Sequence, residues 1–291
     1  MLKKVTVSEA LSRASFYLRQ AGIEQPRIEA ELLLSYLLGQ DRITLTLNND
    51  GFLEDDLLIS FDRLLQRRGR QEPIAYITGI KHFYGRPFDI NPAVLIPRPE
   101  TELIIERAVS YFRKNITAGK GLNCLDIGTG SGILAVTLTL ELPAAKMWAI
   151  DISETALKVA EGNAEKLGVA GRICFSKGNY FQALKDEPGL SFDLIVANPP
   201  YVDKQGMVGL PDDVSLYEPE SALFGGEDGL DGYRMICAGL KEYLKRPGLV
   251  LFEIGETQQD AVEELCLATG LFSRVFCHKD LAGKPRVLEC C

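Results

Sequence analysis

Asn123-Cys124-Leu125-Asp126-Ile127-Gly128-Thr129-Gly130-Ser131-Gly132 runs apolar as far as an acid and then turns through three alternate glycines. We read residues 123–127 as a strand and residues 131–141 as the helix that follows it. Glycines in the turn let the backbone approach a ligand closely, and the start of the helix offers free N–H groups. Outward from this unit the pattern repeats. Apolar runs at residues 146–150, 172–176, 192–196, 248–254, 273–278 and 285–290 read as strands, with amphipathic stretches at 153–167, 230–246 and 257–268 as helices. Strands alternating with helices predict a parallel, doubly wound sheet. The last two runs are separated only by a short turn containing Gly283 and Lys284, so they are expected to pair antiparallel at one end of the sheet.

Ahead of this alternation, which begins after Gly119-Lys120-Gly121, the chain has a different character. Thr6-Val7-Ser8-Glu9 reads as a capping box, followed by Ala10, Leu11, Ala14 and Leu18 at helical spacing until Gly22. Pro26 opens a second helix, apolar at Ile28, Leu32, Leu33, Tyr36 and Leu37 and closed by Gly39, and a third spans residues 53–68. These three make a small bundle. Arg63, Arg67, Arg68 and Arg70 near its end are read as solvated cations suited to a helix carboxyl terminus, with a contact patch for an acidic partner as the alternative. From residue 73 to 97 the spacing of Ile74, Tyr76, Ile77, Phe83, Tyr84, Phe88 and Ile90, broken by Gly79, Gly85 and Pro87, predicts a β-hairpin. Pro97-Arg98-Pro99-Glu100-Thr101-Glu102 then starts another helix; its prolines make either a rigid linker or a mount that holds Arg98 against a site.

With 291 residues there is room for one large domain and a smaller one. No apolar run approaches the roughly 18 residues of a membrane span, and Met1-Leu2-Lys3-Lys4-Val5-Thr6 lacks the apolar core of a signal peptide. A cytoplasmic protein with no membrane partner is expected, and a monomer. Seven cysteines form no Cys-x-x-Cys pair and only His82 and His278 accompany them, so no metal site is expected. The net charge is −8; residues 1–72 hold 10 Lys/Arg against 11 Asp/Glu, leaving −7 for the remainder. That sign opposes a footprint on duplex nucleic acid.

The glycine loop narrows the ligand. A dinucleotide fingerprint places its third glycine at position 133, which is Ile. The spacing is Gly-x-Gly-x-Gly behind Asp126, a pattern that points to S-adenosylmethionine. Asp151 ends the next strand, nineteen residues beyond Gly132, where a carboxylate can accept from both hydroxyls of a ribose; capping the helix at Ser153 is the alternative. Gly178-Asn179-Tyr180-Phe181 offers either an amide and an aromatic for adenine or a turn with a buried anchor.

The strand at 192–196 leads into Ala197-Asn198-Pro199-Pro200-Tyr201. Each proline fixes its own φ, lacks an N–H and pushes its predecessor toward extended geometry, so the loop is stiff. Asn198 presents a side-chain carbonyl, Pro199 a backbone carbonyl and Tyr201 a flat face, a set suited to a planar NH2 group. Following a glycine loop and an acid-tipped second strand, this stretch resembles the class I methyltransferases that modify planar amino groups. Pro73 to Gly79, Phe83-Tyr84-Gly85, Leu95 to Glu102, Asp126 to Gly132, Asn198 to Tyr201, Glu218-Pro219 with Ala222-Leu223, Gly225 to Leu230, Asp280 to Gly283 and Arg286-Val287 together resemble the peptide chain release factor glutamine N5-methyltransferases, the HemK/PrmC group. Asn179 departs from the Asp expected there, and Tyr180 from the Trp of some members.

The resemblance implies a Rossmann-like, seven-stranded class I methyltransferase sheet over residues 98–291, a release factor-binding helical bundle over 1–72 and a β-hairpin linker over 73–97. It implies methyl transfer from S-adenosyl-L-methionine, with S-adenosyl-L-homocysteine as product, to the glutamine amide of the Gly-Gly-Gln motif in class 1 release factors. Gly128, Thr129, Gly130, Ser131, Gly132, Asp151, Asn179, Tyr180 and Asn198 would hold the cofactor, closed on one side by Arg98, Glu100 and Thr101. Asn198 and Pro199 would accept the amide N–H groups, with Pro200 and Tyr201 completing the substrate site. N6-adenine methylation of DNA or RNA is the alternative.

Overall fold

The computed structural model describes residues 4–115 and 121–291; Gly119 and Lys120, where the sequence reading starts the α/β alternation, lie outside the described residues. The chain divides into two compact units, Met1–Ile80 with Pro211–Tyr217 and Lys81–Leu210 with Glu218–Cys291. The division therefore falls between Ile80 and Lys81 instead of after residue 72.

In the first unit the strands β1 (Val5–Thr6) and β2 (Phe52–Leu53) pair antiparallel around the helices α1 (Val7–Gln20), α2 (Pro26–Leu38), α3 (Arg42–Leu47), α4 (Asp55–Gly69) and α5 (Ile74–Thr78). The capping box is present: Thr6 Oγ1 accepts from Glu9 N and Glu9 Oε2 from Thr6 N, each at 3.2 Å. Leu11, Leu18, Leu33, Leu34, Leu45 and Phe61 form the core. Three expectations change. Leu53 belongs to a strand, and the helix after it starts at Asp55, with two acids in its first turn. Ile74–Thr78 is a helix because Pro73 opens it, Gly79 stops it at φ +73°, and Ala75, Tyr76 and Ile77 are buried; five residues are too few to display a helical period. Arg68 is neither solvated nor a contact residue, being buried in an ion pair with Glu29, while Arg67 pairs with Glu72 at 2.5 Å.

β3 (Ile80–Phe83), whose first residue closes the first unit, and β4 (Arg86–Asp89) form a hairpin turned by Tyr84 and Gly85 at φ +51° and +73°. Then follow α6 (Glu102–Asn115), β5 (Leu122–Ile127), α7 (Ile133–Glu141), β6 (Ala145–Asp151), α8 (Glu154–Lys166), β7 (Ile173–Lys177), β8 (Phe192–Ala197) and α9 (Lys204–Val208). After α10 (Asp212–Ser215), in the segment grouped with the first unit, come α11 (Asp231–Tyr243), β9 (Leu244–Glu253), α12 (Gln259–Ala268), β10 (Val275–Lys279) and β11 (Pro285–Cys290). α11 stops short of residue 246 because Pro247 cannot continue a helix.

Seven strands form one sheet in the order β10-β11-β9-β8-β5-β6-β7. The five strands from β9 to β7 are parallel, and β11 and β10 pair antiparallel at the other edge, as the connections predict. Side chains along each strand alternate between two cores. Cys124, Met147, Leu194, Val196 and Leu251 face one with α6 and α7, while Leu125, Trp148, Ile195, Val250 and Phe252 face the other with α11 and α12. Burial on both faces explains why these strands read as continuous apolar runs. Among the described residues no helix is long and apolar enough to cross a membrane.

One buried amide ties the hairpin to the glycine loop. Asn163 Oδ1 accepts from Asp89 N at 2.7 Å, and its Nδ2 donates to the carbonyls of Asp89 and Ser131, each at 2.9 Å. Asn163→Ala strands three partners in a buried place and is expected to cost about 2–4 kcal/mol, read as a lowered urea midpoint; an unchanged midpoint would mean that these bonds are replaceable by water.

Candidate active site

β5 is followed by strands that build toward one edge (β6, β7), whereas β8 and β9 build toward the other, so the order reverses between β5 and β8. Ligands of open α/β sheets bind at such a reversal, beyond the carboxyl ends of the strands. Register sets which residues meet there. Ile127 is paired with both Ala197 and Ile150, Asp151 with Lys177, and Ala197 with Phe252. The residues just beyond these positions, Gly128, Asn198, Gly178 and Glu253, therefore gather at one edge.

A cavity of about 290 Å³ opens there, near the lower end of the roughly 300–1,000 Å³ typical of small-molecule sites. Of the residues expected at a site, Gly128, Thr129, Gly130, Ser131, Asp151, Asn179, Tyr180, Asn198, Pro199, Pro200, Arg98 and Thr101 line it. Gly132, Glu100 and Tyr201 are not among the lining residues. Gly132 is the left-handed cap of α7, where a Cβ would sit 3.0 Å from that of Ala160, so its glycine serves helix packing. Tyr201 packs beside the α11–α12 core, and burial pushes its hydroxyl up to about 12.

The glycine loop does not present the free N–H groups expected of it at four positions. Gly128 N and Thr129 N donate to Ile150 O, at 2.9 and 3.0 Å; Gly130 N donates to Asp151 Oδ2 at 2.9 Å, and Gly132 N to Thr129 O at 2.8 Å. Behind the loop Asp126, 1% exposed, accepts from Thr129 Oγ1 at 2.7 Å and from Ala135 N at 3.1 Å through Oδ2, while its buried Oδ1 has no partner among the described residues. Burial, only partly opposed by those bonds, pushes this carboxyl up to about 7. An acid behind donors already satisfied suits a ligand that brings no phosphate to this turn.

Asp151 does not cap α8; Ser153 does, accepting from Ala156 N at 3.2 Å. Both Asp151 oxygens take one backbone N–H, from Gly130 at 2.9 Å and from Ser153 at 2.8 Å, which aims the carboxylate and leaves each oxygen acceptor capacity. Asn179 and Tyr180 follow β7, with Tyr180 held at φ +50° by a short helical turn. Phe181 turns away to stack on Tyr243 at 4.7 Å and anchors that turn.

On the opposite wall Arg98 donates to Glu218 Oε1 at 2.6 Å, and Glu218 Oε2 accepts from Ile96 N at 3.0 Å. This glutamate, its side chain 1% exposed, mounts the Pro97-Arg98-Pro99 segment. Thr101 Oγ1 donates to Glu253 Oε2 at 2.6 Å, and Asn198 Nδ2 lies 3.5 Å from the same hydroxyl. Gln258 Nε2 donates to the carbonyls of Tyr201 and Gly229, each at 3.1 Å, bracing the Asn-Pro-Pro-Tyr loop from behind. Sequence reasoning missed Glu253 and Gln258, and took Glu218 only as part of a shared motif. The signal for Glu253 was there: one acid within the otherwise apolar run Leu249-Val250-Leu251-Phe252-Glu253-Ile254 at a strand end.

Asp126 gives a pH signature. The native state keeps its proton up to about pH 7, whereas the unfolded chain releases it near about pH 4, so stability contributed by the neutral acid is lost as pH rises between the two. Relative to wild type, Asp126→Asn is expected to flatten the pH dependence of unfolding across this window by an amount on the order of 4 kcal/mol. Parallel urea titrations at both ends of the window check this; identical slopes for the two proteins would refute it.

The chain resembles known proteins along nearly its whole length. Residues 9–79 match the PrmC N-terminal domain and residues 118–280 a methyltransferase domain. The release factor glutamine methyltransferase of Moorella thermoacetica is 38% identical, over 97% of this chain and 97% of that protein. A bifunctional methyltransferase of Rickettsia felis is 37% identical over 97% of this chain, which spans only 57% of that longer relative. Among solved structures, the N-terminal domain of human METTL16 has a TM-score of 0.54 at 17% identity, covering 88% of this chain and 92% of that one, a likeness of fold alone. With a PrmC N-terminal domain match ahead of a methyltransferase domain match, and 38% identity along almost the whole length of a release factor glutamine methyltransferase, the chain belongs to the release factor glutamine methyltransferase family of class I, S-adenosylmethionine-dependent methyltransferases.

Proposed function

We propose that this cleft methylates the side-chain amide nitrogen of the glutamine in the Gly-Gly-Gln motif of class 1 peptide chain release factors. The observation that carries the reading is the pair of carbonyl acceptors at the cavity wall. Neither Asn198 Oδ1 nor the Pro199 carbonyl accepts a hydrogen bond from a described residue, and both residues line the cavity. An amide nitrogen is a poor nucleophile because its lone pair is delocalised into the carbonyl. Two fixed acceptors, one for each N–H, orient the nitrogen and stabilise the positive charge that grows on it as it attacks. Pro199 and Pro200 keep those acceptors from relaxing, and Gln258 holds the loop from the far side.

The residues present fit S-adenosylmethionine. Gly128 and Gly130 line the cavity at φ +75° and +56°, where a Cβ would project into open space, so the bare backbone forms a cradle. The aimed Asp151 carboxylate has acceptor capacity for a ribose diol, and Ile152, Asn179 and Tyr180 supply apolar, amide and aromatic surface for an adenine. When bound, the cofactor supplies a methyl group already activated on a sulfonium sulfur. The chain's own task is then to bind, to orient the amide and to exclude water. Glu100 and Tyr201 act from outside the cavity wall in this reading. The first unit, with Phe16, Ile43, Leu47, Phe52 and Ile59 exposed, is the proposed recruiter of the release factor.

Labelled methyl transfer to a purified release factor, to its Gln→Ala variant and to duplex DNA tests the substrate. Label is expected on the wild-type factor alone; label on DNA and not on the factor would hand the site to adenine chemistry. Asn198→Ala is expected to lower kcat by at least roughly 100-fold. By contrast, Asp151→Ala should raise the cofactor Kd by about 10- to 100-fold in calorimetry, the loss of bonds to a charged acceptor; an unchanged Kd would remove Asp151 from the ribose.

A further inference from the structure

An asparagine carboxamide has an acceptor end and a donor end of nearly the same shape, so its surroundings must decide which end faces a substrate. In this fold the decision falls to a buried acid. Phe252 is the register partner of Ala197, which places Glu253 beside Asn198 at the sheet edge. Glu253 is 1% exposed, and Tyr233 Oη fixes its backbone by donating to its carbonyl at 2.8 Å. The Thr101 hydroxyl has one proton, and it is committed to Glu253 Oε2 at 2.6 Å. What that hydroxyl can still offer is a lone pair, toward which Asn198 Nδ2 points from 3.5 Å.

We propose that Glu253 is a positioning residue: through Thr101 it makes the surroundings of Asn198 Nδ2 acceptor-only, which turns Oδ1 toward the substrate amide. The inference rests on the reading of Asn198 as that amide's acceptor. It explains why an apolar strand ends in a carboxylate, an expensive group to bury, when an apolar residue would pack as well. A glutamine in its place presents a donor, lets the Thr101 hydroxyl turn, and leaves both orientations of the Asn198 amide satisfied.

The arrangement has a titration to match. Burial raises the Glu253 carboxyl to about 7, against the pull of the Thr101 bond. The charged and titratable groups facing it are Arg286 from β11, Glu100 from the turn before α6, Tyr201 from the loop after β8 and Tyr233 from α11; Arg286 lowers its value and Glu100 raises it. Once protonated, the acid can donate, and the direction of the chain is no longer specified.

The test is steady-state methyl transfer from labelled S-adenosylmethionine to a purified class 1 release factor from about pH 5.5 to about pH 9. Full-length wild type is compared with Glu253→Gln, Thr101→Val, Thr101→Ser and Asn198→Ala. Glu253→Gln is expected to lower kcat roughly 10- to 100-fold, to leave the cofactor KM within about twofold, and to abolish the acid limb of the kcat profile. Thr101→Val should behave likewise and Thr101→Ser should restore most of the rate. Glu253→Gln with wild-type kcat and an intact acid limb overturns the proposal, as does a loss that appears only in cofactor KM. Should Glu253→Gln not fold, Thr101→Val decides, since an unchanged kcat there is equally fatal. Full activity of Asn198→Ala would instead sink the underlying reading, whereas a dead Asn198→Ala beside fully active Glu253→Gln and Thr101→Val would sink the positioning role alone.

Discussion

The hydrogen-bonded register that sets Ile127 against Ala197 is the constraint on which the site depends. It lies where the strand order reverses, so the loops leaving β5 and β8 cannot be covered by a crossover helix from the neighbouring strand and stand open side by side. A slip of one residue would turn every β8 side chain to the opposite face. Leu194 and Val196 would then leave one core, Ile195 and Ala197 the other, and Asn198 would move away from Gly128. The apolar packing of two cores thus holds the polar geometry of the edge in place. Stability and function share one determinant here.

Most of the sheet was legible because its strands are buried on both faces and bounded by turn residues, which gives short apolar runs that periodicity can find. The elements that escaped are those whose identity depends on tertiary surroundings. Ile74–Thr78 contains too few residues to display a period, and only burial of Ala75, Tyr76 and Ile77 makes it a helix. Arg68 looked like a surface cation until Glu29, distant in sequence, became its partner. In the site, residues that touch the cavity came with local signals: glycines at fixed spacing, an acid at a strand end, prolines in tandem. Residues that act through others carried weaker ones, such as the single acid Glu253 at the end of an apolar run. Glu218, Glu253 and Gln258 reach the site across 122, 152 and 57 positions of sequence to Ile96, Thr101 and Tyr201, and only the fold reveals such pairings.

Two carboxylates, Asp126 and Glu253, sit at the ends of parallel strands almost wholly removed from water, and burial pushes each up to about 7. Their tasks differ. Asp126 organises the glycine loop, with Thr129 and Ala135 as donors, whereas Glu253 accepts from the Thr101 hydroxyl, which lies beside the Asn198 amide. An apolar pair would be cheaper to bury. What Glu253 adds when ionised is direction: an ionised acid only accepts, so the hydrogen atoms around it have one permitted arrangement. Directed hydrogen bonding matters most where a carboxamide must present one particular end.

The chemistry of the cavity wall follows the same economy of parts. Its titratable lining residues are Arg98, Asp151 and Tyr180, with no His, Lys, Glu or Cys among them. Arg98 is held by Glu218, and Asp151 is aimed by two backbone N–H groups. A reaction whose nucleophile must lose its proton before attack would be poorly served by such a wall. An amide, in contrast, loses its proton easily only after the nitrogen has gained a substituent and the positive charge that comes with it. Its demand is for acceptors that hold two N–H groups at fixed positions while that charge grows, and in the proposed reaction a proline-stiffened loop with a carbonyl on Asn198 and another on Pro199 meets it. On that reading the wall serves electrostatic preorganisation, and rigidity behind the loop, from Gln258, Thr101 and Glu253, matters as much as the groups that face the cavity.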